Sequence, residues 1–271
     1  MREMGHVVVA YSGGVDSTFL LAVAASELGR ENVLAVTADS EVYAKREIDD
    51  AKRFAKQLGV KHFIIQTREL SDERFAQNSP DRCFHCKHEL FEKLTEIAKT
   101  YGFSHIADGT TADDIKDFRP GLRALKQYNV RSPLLEAQLT KEEIRRFSKE
   151  LGLPTWNKPA MACLASRFPY NHKITARQLR QVEQAEEFLR TLHLSQLRVR
   201  HYDGMARIEV LPEDFSKILE HRESVVSFFK KLGYTHVALD LQGYRSGSMN
   251  EALKQLASWQ VNKFASKKSE R

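Results

Sequence analysis

The absences narrow this sequence before any motif is read. Its 271 residues contain no run of about 18 uncharged apolar residues, so no membrane-crossing helix is expected. No segment repeats and none is of low complexity, which leaves one or two ordinary globular domains. Cysteine is scarce. Cys83, Cys86 and Cys163 make an odd number, which is no disulfide framework. The opening residues pass straight into an apolar strand and a glycine turn, without the apolar stretch and small-residue cleavage site of a secretory signal. The expected location is cytoplasmic, with no membrane partner.

What is present suits a globular protein. Hydrophobic residues make up 42% and charged residues 29%, and the length allows a substantial core. The net charge of +6 suits anionic ligands, either nucleotides or RNA, and does not choose between them. Part of that excess lies in the last five residues, Lys-Lys-Ser-Glu-Arg.

Apolar runs at 6–11, 32–38, 61–66 and 105–108 read as strands. Helical stretches at 16–28, 43–58 and about 80–101 lie between them. Such alternation predicts an α/β fold with a parallel, doubly wound sheet. The pattern changes after Trp156. Residues 157–171 read as a linker or active-site loop. A smaller α/β unit follows, with helices at 175–192 and 212–232 and strands at 196–201, 206–211 and 234–241. A last helix starts near Asn250. The expected domains are 1–165 and 166–271, the second serving substrate binding and oligomerisation.

The strongest local signal is Ser-Gly-Gly-Val-Asp-Ser-Thr at 12–18, set between a strand and a helix. Gly13 and Gly14 allow a sharp turn and let backbone N–H groups approach a phosphate. Ser12, Ser17 and Thr18 add hydroxyl donors, and the helix N-terminus adds its positive end. The loop has no Walker lysine. It resembles instead the PP-loop, which binds the pyrophosphate part of ATP. Asp16 makes sense there if Mg²⁺ bridges it to the phosphates. An ordinary glycine turn with Asp16 as helix cap is the plainer alternative, disfavoured by the complete heptapeptide and its flanks. In a doubly wound sheet the ligand lies beyond the carboxyl ends of the strands. Thr37 and Gly109 are at two such ends, and Asp113, Asp114 and Arg119 follow as metal or phosphate candidates. Helix capping is an equal reading of the two aspartates.

Cys83 and Cys86 form a CxxC, open to zinc, redox or iron–sulfur readings. A four-ligand zinc site needs more than the one remaining cysteine. If the fold brings Cys163 near, three thiolates on a 4Fe-4S cluster leave one iron free for exogenous sulfide. Three unremarkable reduced cysteines are the plain alternative.

Further motifs carry a resemblance. They are Asp-Phe-Arg-Pro-Gly at 117–121, Trp-Asn-Lys-Pro-Ala at 156–160, Ser-Arg-Phe-Pro-Tyr at 166–170, Arg-Val-Arg at 198–200, Ala-Arg-Ile-Glu at 206–209 and Asp-Leu-Gln-Gly-Tyr-Arg-Ser-Gly at 240–247. In this order they resemble the LarE family of ATP-dependent sulfur transferases, which act in making a nickel-pincer nucleotide cofactor. The resemblance implies that ATP adenylates a carboxylate of a pyridinium dicarboxylate mononucleotide, and that sulfur then displaces AMP. It implies sulfide or another sulfur donor, other cofactor-maturation proteins and a homo-oligomer as partners. One class of the family sacrifices a single cysteine. Here Ala162 falls at that donor position and Cys163 one residue on, so the three-cysteine, cluster-bearing class is expected. Cys163, Asp16 and Arg167 are then the catalytic candidates. Ser166, Arg167, Arg198, Arg200 and Arg245 are candidates for substrate phosphate and carboxylates. Glu187, Glu209 and Asp240 are weaker metal or positioning candidates. A tRNA thiolase shares the loop and often the cysteines, but no added RNA-binding module is evident and nucleic acid is not an expected partner. An ammonia-using synthetase and a non-catalytic nucleotide sensor complete the alternatives.

Overall fold

The structure is a computed structural model describing residues 1–116, 120–194, 196–245 and 247–251. The chain divides into two compact units. The first is Met1–Ala165 with Tyr170–Leu179, and the second is Ser166–Pro169 with Arg180–Arg271.

In the first unit four strands, β1 (Val7–Ala10), β2 (Val33–Asp39), β3 (Lys61–Gln66) and β4 (His105–Ala107), form one sheet in the order β3-β2-β1-β4. All three pairings are parallel. The helices are α1 (Val15–Leu28), α2 (Lys45–Leu58), the short α3 (Glu73–Ala76), α4 (Arg82–Tyr101), α5 (Leu122–Gln127), α6 (Pro133–Glu136) and α7 (Lys141–Glu150). The valines of β1 divide the core by their period of two. Val7 and Val9 pack with Phe19 and Leu20 of α1 and Ile144 of α7. Val8 packs with Phe91 and Leu94 of α4 and Ala124 and Leu125 of α5. Both faces are covered, which is why these strands read as unbroken apolar runs. The sheet is doubly wound, as the alternation predicts. Its strand order reverses between β1 and β4, where ligands sit in open α/β sheets.

Beyond the capping alternative at Asp113 and Asp114, no apolar pattern marks a helix between 111 and 156, yet α5, α6 and α7 lie there. The signal for α7 is local. Thr140 accepts the Glu143 N–H at 3.3 Å and Glu143 accepts the Thr140 N–H at 2.9 Å, a reciprocal capping box.

In the second unit β5 (Leu197–Tyr202) and β6 (Met205–Val210) form an antiparallel hairpin, and β7 (His236–Leu239) adds parallel to β6. Helix α8 (Ala176–Arg190) starts in the first unit and continues into the second. The helix expected over 212–232 is a correction. A 3₁₀ turn is followed by two helices, α9 (Phe215–Glu220) and α10 (Arg222–Lys231), interrupted at His221. Buried Ile218 and Val225 are seven residues apart, two full turns, so apolar spacing does not register the break. The final helix expected from Asn250 falls outside the described residues beyond a 3₁₀ turn at Ser248–Asn250. No described helix is long and apolar enough to cross a membrane.

Ile144, fully buried between α7 and α1, sets a test of this packing. Ile144→Ala should cost about 2–5 kcal/mol in urea unfolding. Glu150→Ala, on the exposed side of the same helix, should stay within about 0.5 kcal/mol.

Candidate active site

The loop after β1 is built on close approach. Gly13 has φ +68°, and a Cβ there would come to 2.9 Å from the Cα of Ala51 in α2. Gly109, just beyond β4, lies close on the start of α1, where a Cβ would meet the Ser17 backbone N at 3.1 Å. The two strand ends flanking the switch point thus meet at the α1 N-terminus. Within the loop the Ser12 N–H donates to Ser17 Oγ at 3.2 Å, and the two hydroxyls are 3.1 Å apart. Ser12 is exposed and Gly14 and Asp16 half-buried, whereas Thr18 is fully buried. Thr37 is spent on the scaffold. Its hydroxyl donates to the Tyr11 carbonyl at 2.6 Å and lies 2.8 Å from His62 Nε2. Burial, with the charge of Lys52, lowers the His62 pKa to about 4, so the ring is neutral.

Charged residues from distant parts of the chain converge on the loop. Lys158 Nζ donates to the Gly13 carbonyl at 3.2 Å while pairing with Glu47 at 2.8 Å and Asp50 at 2.9 Å. Lys141 pairs with Asp16. Burial raises the Asp16 pKa against the opposing pull of Lys141, and Asp114 adds to the rise. Asp113 and Asp114 have capping roles. Asp113 accepts the Lys141 backbone N–H at 2.7 Å and Asp114 that of Thr111 at 2.9 Å. Asp108 is buried and holds the end of β4. It accepts from Ser132 at 2.7 Å, from the Thr110 hydroxyl at 2.7 Å and from Lys87 at 3.3 Å. Arg119 falls outside the described residues.

The cysteines lie in the same unit. Cys83 and Cys86 lie at the start of α4, three residues apart, and Cys163 follows in the loop after Lys158. The Leu164 N–H bonds the Val42 carbonyl at 2.8 Å, which pins that loop beside Tyr43. Cys86 Sγ is 3.5 Å from the Tyr43 hydroxyl and donates to Glu69 Oε1 at 3.8 Å. Burial first, and the Glu69 carboxylate next, push the Cys86 thiol well above its ordinary range. Water reaches Cys83. Partial desolvation and then Cys163 raise its thiol, while the Arg82 guanidinium opposes them. The three thiols therefore feel one another's charge. Among the described residues no three His, Cys, Asp or Glu side chains are grouped to hold one metal ion. A cubane cluster sets a looser condition, because each thiolate binds a different iron. The donor chemistry suits such a cluster once the thiols are deprotonated.

The second unit gathers arginines. The buried Arg167 forms a bidentate pair with buried Glu186, at 2.8 and 2.9 Å, and donates to Ser166 Oγ at 2.8 Å. Glu186 also accepts the Val199 N–H at 3.0 Å. Burial pushes the Glu186 carboxyl up, but Arg167, Arg198 and that N–H together hold it down at about 2. Arg200 donates to the Ser166 carbonyl at 2.9 Å and to Glu209 at 2.7 Å. Burial and the like charges of Arg167 and Arg200 lower Arg198 to about 10. Ser166, Arg167, Arg198 and Arg200 are thus brought together. Arg245 is engaged elsewhere, pairing with Glu251 at 3.0 Å. Glu187 is exposed, and its neighbour Glu186 holds the buried position. Glu209 and Asp240 are partners of Arg207, at 2.8 and 3.4 Å.

A glycine cradle at the switch point of a parallel sheet, with an aspartate at the helix start and no Walker lysine, defines an ATP-using enzyme of the PP-loop class. The NAD synthase family profile matches residues 2–97. The chain is 42% identical over 253 residues to an uncharacterized protein of Synechocystis, covering 93% of this chain and 94% of that one. It is 38% identical over 253 residues to the pyridinium-3,5-bisthiocarboxylic acid mononucleotide synthase of Lactiplantibacillus plantarum, covering 93% and 92%. The tRNA-specific 2-thiouridylase of Desulforamulus reducens is 31% identical, over 59% of this chain and 54% of that one. The chain belongs to the pyridinium-3,5-bisthiocarboxylic acid mononucleotide synthase family, the LarE-type ATP-dependent sulfur transferases.

Two measurements probe this geometry. Gly13→Ala, which adds a Cβ against Ala51 at positive φ, should lower stability by about 1–3 kcal/mol and weaken ATP binding in calorimetry. Glu186 has a depressed pKa, so its contribution is complete above the ordinary carboxylate value of 4.5 and is lost as pH falls from there toward 2. Glu186→Gln should cost on the order of 3 kcal/mol at pH 7 and flatten the stability profile between those values in denaturant titrations.

Proposed function

We propose that the chain uses ATP to adenylate a carboxylate of a pyridinium dicarboxylate mononucleotide, and then replaces AMP with sulfur to give a thiocarboxylate. The carboxylate oxygen attacks the α-phosphorus, the bond from that phosphorus to the bridging oxygen breaks, and pyrophosphate leaves. Sulfide then attacks the acyl carbon, its proton is released, and the C–O bond breaks with AMP leaving. The observation that carries this reading is end-to-end likeness to a protein named for such a product, together with an intact loop. Likeness to the tRNA thiouridylase covers only 59% of the chain, which favours the small nucleotide over tRNA.

The residues divide by task. Ser12, Gly13, Gly14 and Ser17 hold the pyrophosphate part of ATP, while Thr18 and Thr37 brace the loop from beneath. Gly109 admits the β4 end to the α1 N-terminus, and Asp16 with Asp114 would hold the Mg²⁺ that accompanies ATP. Ser166, Arg198 and Arg200 bind the phosphate and carboxylates of the mononucleotide. Arg167, locked to Glu186, keeps that cluster in place. Cys83, Cys86 and Cys163 handle the sulfur and would hold a 4Fe-4S cluster, which would supply a place for sulfide. The relative named for its product leaves that last part open, and the cysteines alone support it.

Iron and acid-labile sulfide, measured after anaerobic purification, test the sulfur site. About four irons per chain are expected, lost in Cys83→Ala, with thiocarboxylate formed repeatedly when sulfide is supplied. A chain without iron even after reconstitution, which stops after one turnover and loses the mass of H₂S at Cys163, would instead make that cysteine the sulfur donor.

A further inference from the structure

Two cations of α4 stand beside Cys83, and they differ in how they are balanced. Lys87, one turn along the helix, pairs with Asp108 at 3.3 Å. Arg82 has no such partner. It is only 5% exposed, yet its contacts among the described residues are neutral. Asn78 Oδ1 accepts from one terminal nitrogen, the Tyr170 ring centre lies 5.2 Å from the guanidinium, and the Cys83 thiol faces it. Arg82 Nε is buried without a hydrogen-bond partner. Nearby acidic side chains are engaged elsewhere, Asp81 with Arg123 at 2.6 Å and Glu69 with the Thr67 hydroxyl at 3.0 Å.

A buried charge without a counter-charge is costly, and most ionisable side chains escape the cost by changing protonation. Arginine does not lose its proton. The guanidinium is also held in place. The Asn78 carbonyl accepts the Asn171 N–H at 2.9 Å and the Ala76 carbonyl accepts the Ile174 N–H at 2.8 Å. These bonds lace the segment after Tyr170 to the one that leads into α4, all within the first unit. The chain thus maintains a fixed, desolvated cation next to a cysteine that water reaches. A Cys83 thiolate is claimed by whatever the three cysteines hold, which leaves the guanidinium open to a second anion. One unpartnered donor suits a small anion of single charge, whereas a nucleotide phosphate needs several donors and has its own cradle. Ionised sulfide, HS⁻, is the anion of that size which the reaction consumes.

We propose that Arg82 is the anion-binding residue of the sulfur site and holds hydrosulfide beside Cys83 before transfer. The proposal rests on the sulfur-transfer reading above. No bond is made or broken at the guanidinium. It donates a charge-assisted hydrogen bond to the sulfur and raises the local concentration of the ionised form. In the transfer itself sulfide gives an electron pair to the acyl carbon, its proton is released, and AMP departs with the pair of the C–O bond. Neutral H₂S gains little from the cation, so the site selects the nucleophilic species.

The test has one readout without turnover and one with it. Iodoacetate and iodoacetamide alkylate the same thiolate, so the ratio of their rates at Cys83, read by peptide mass spectrometry, reports local charge and not thiolate fraction. Arg82→Met should lower that ratio several-fold, and Arg82→Lys should keep most of it. In thiocarboxylate formation at saturating ATP, Arg82→Met should raise the KM for sulfide about tenfold or more, with kcat per bound iron little changed. The wild type decides if Arg82→Met does not fold: thiocyanate, a sulfur anion of single charge, should slow iodoacetate at Cys83 more than equal chloride does. Equal effects of the two salts would overturn the proposal. So would a variant whose sulfide KM is that of the wild type, even with an altered reagent ratio, because Arg82 would then balance only the thiolates, and the sulfur-transfer reading would stand. If the wild type forms no thiocarboxylate from sulfide, that reading fails and the proposal with it.

Discussion

The site at the head of the first sheet depends on one close approach. The backbone of Gly13 runs so near α2 that any side chain would strike the Ala51 backbone. This contact forces the chain leaving β1 to turn at once, and the turn directs the start of α1 into the switch point. From the other side Gly109 brings the end of β4 onto the same helix start. Two absent Cβ atoms thus create the space in which N–H donors converge. The rest of the loop, including the paired hydroxyls of Ser12 and Ser17, keeps that geometry in place.

A cradle of N–H groups is weakly cationic, whereas triphosphate is strongly anionic. The cations beside it come from residues far along the chain. Lys158 meets Gly13 across 145 residues and Lys141 meets Asp16 across 125. Lys87 ties the helix that carries two cysteines to Asp108 at the end of β4. None of these lysines belongs to the glycine motif, because a motif records neighbours in sequence and these are neighbours only after folding. Thr-x-x-Glu at 140–143 was nonetheless a readable helix start, and it would have placed Lys141 on a first turn.

Apolar pattern made the parallel sheet and its crossovers legible, since a strand buried on both faces leaves a continuous run and a helix a periodic one. The same pattern passed over the break at His221, where the apolar positions on either side stay in phase. Likewise a glutamate pair at 186–187 presents identical chemistry, and only packing decides that Glu186 turns inward to Arg167 while Glu187 faces water. The fate of Thr37 is a similar case. A small polar residue at a strand end suits a nucleotide pocket, but its hydroxyl is consumed by the Tyr11 carbonyl and His62. Hydrogen-bond assignment of this kind requires coordinates, whereas the glycines announce themselves by type.

The cysteine site shows how environment makes equal side chains unequal. Cys86 shares its surroundings with a buried carboxylate, and Glu69 Oε2 has no partner of its own. Ionising Cys86 there sets a second negative charge beside the first, so the thiol stays protonated in the ligand-free chain. Cys83, reached by water and facing the Arg82 guanidinium, gives up its proton more readily. Any thiolate-binding group must therefore displace a proton from the most resistant of these thiols, and its positive charge must offset Glu69 as well.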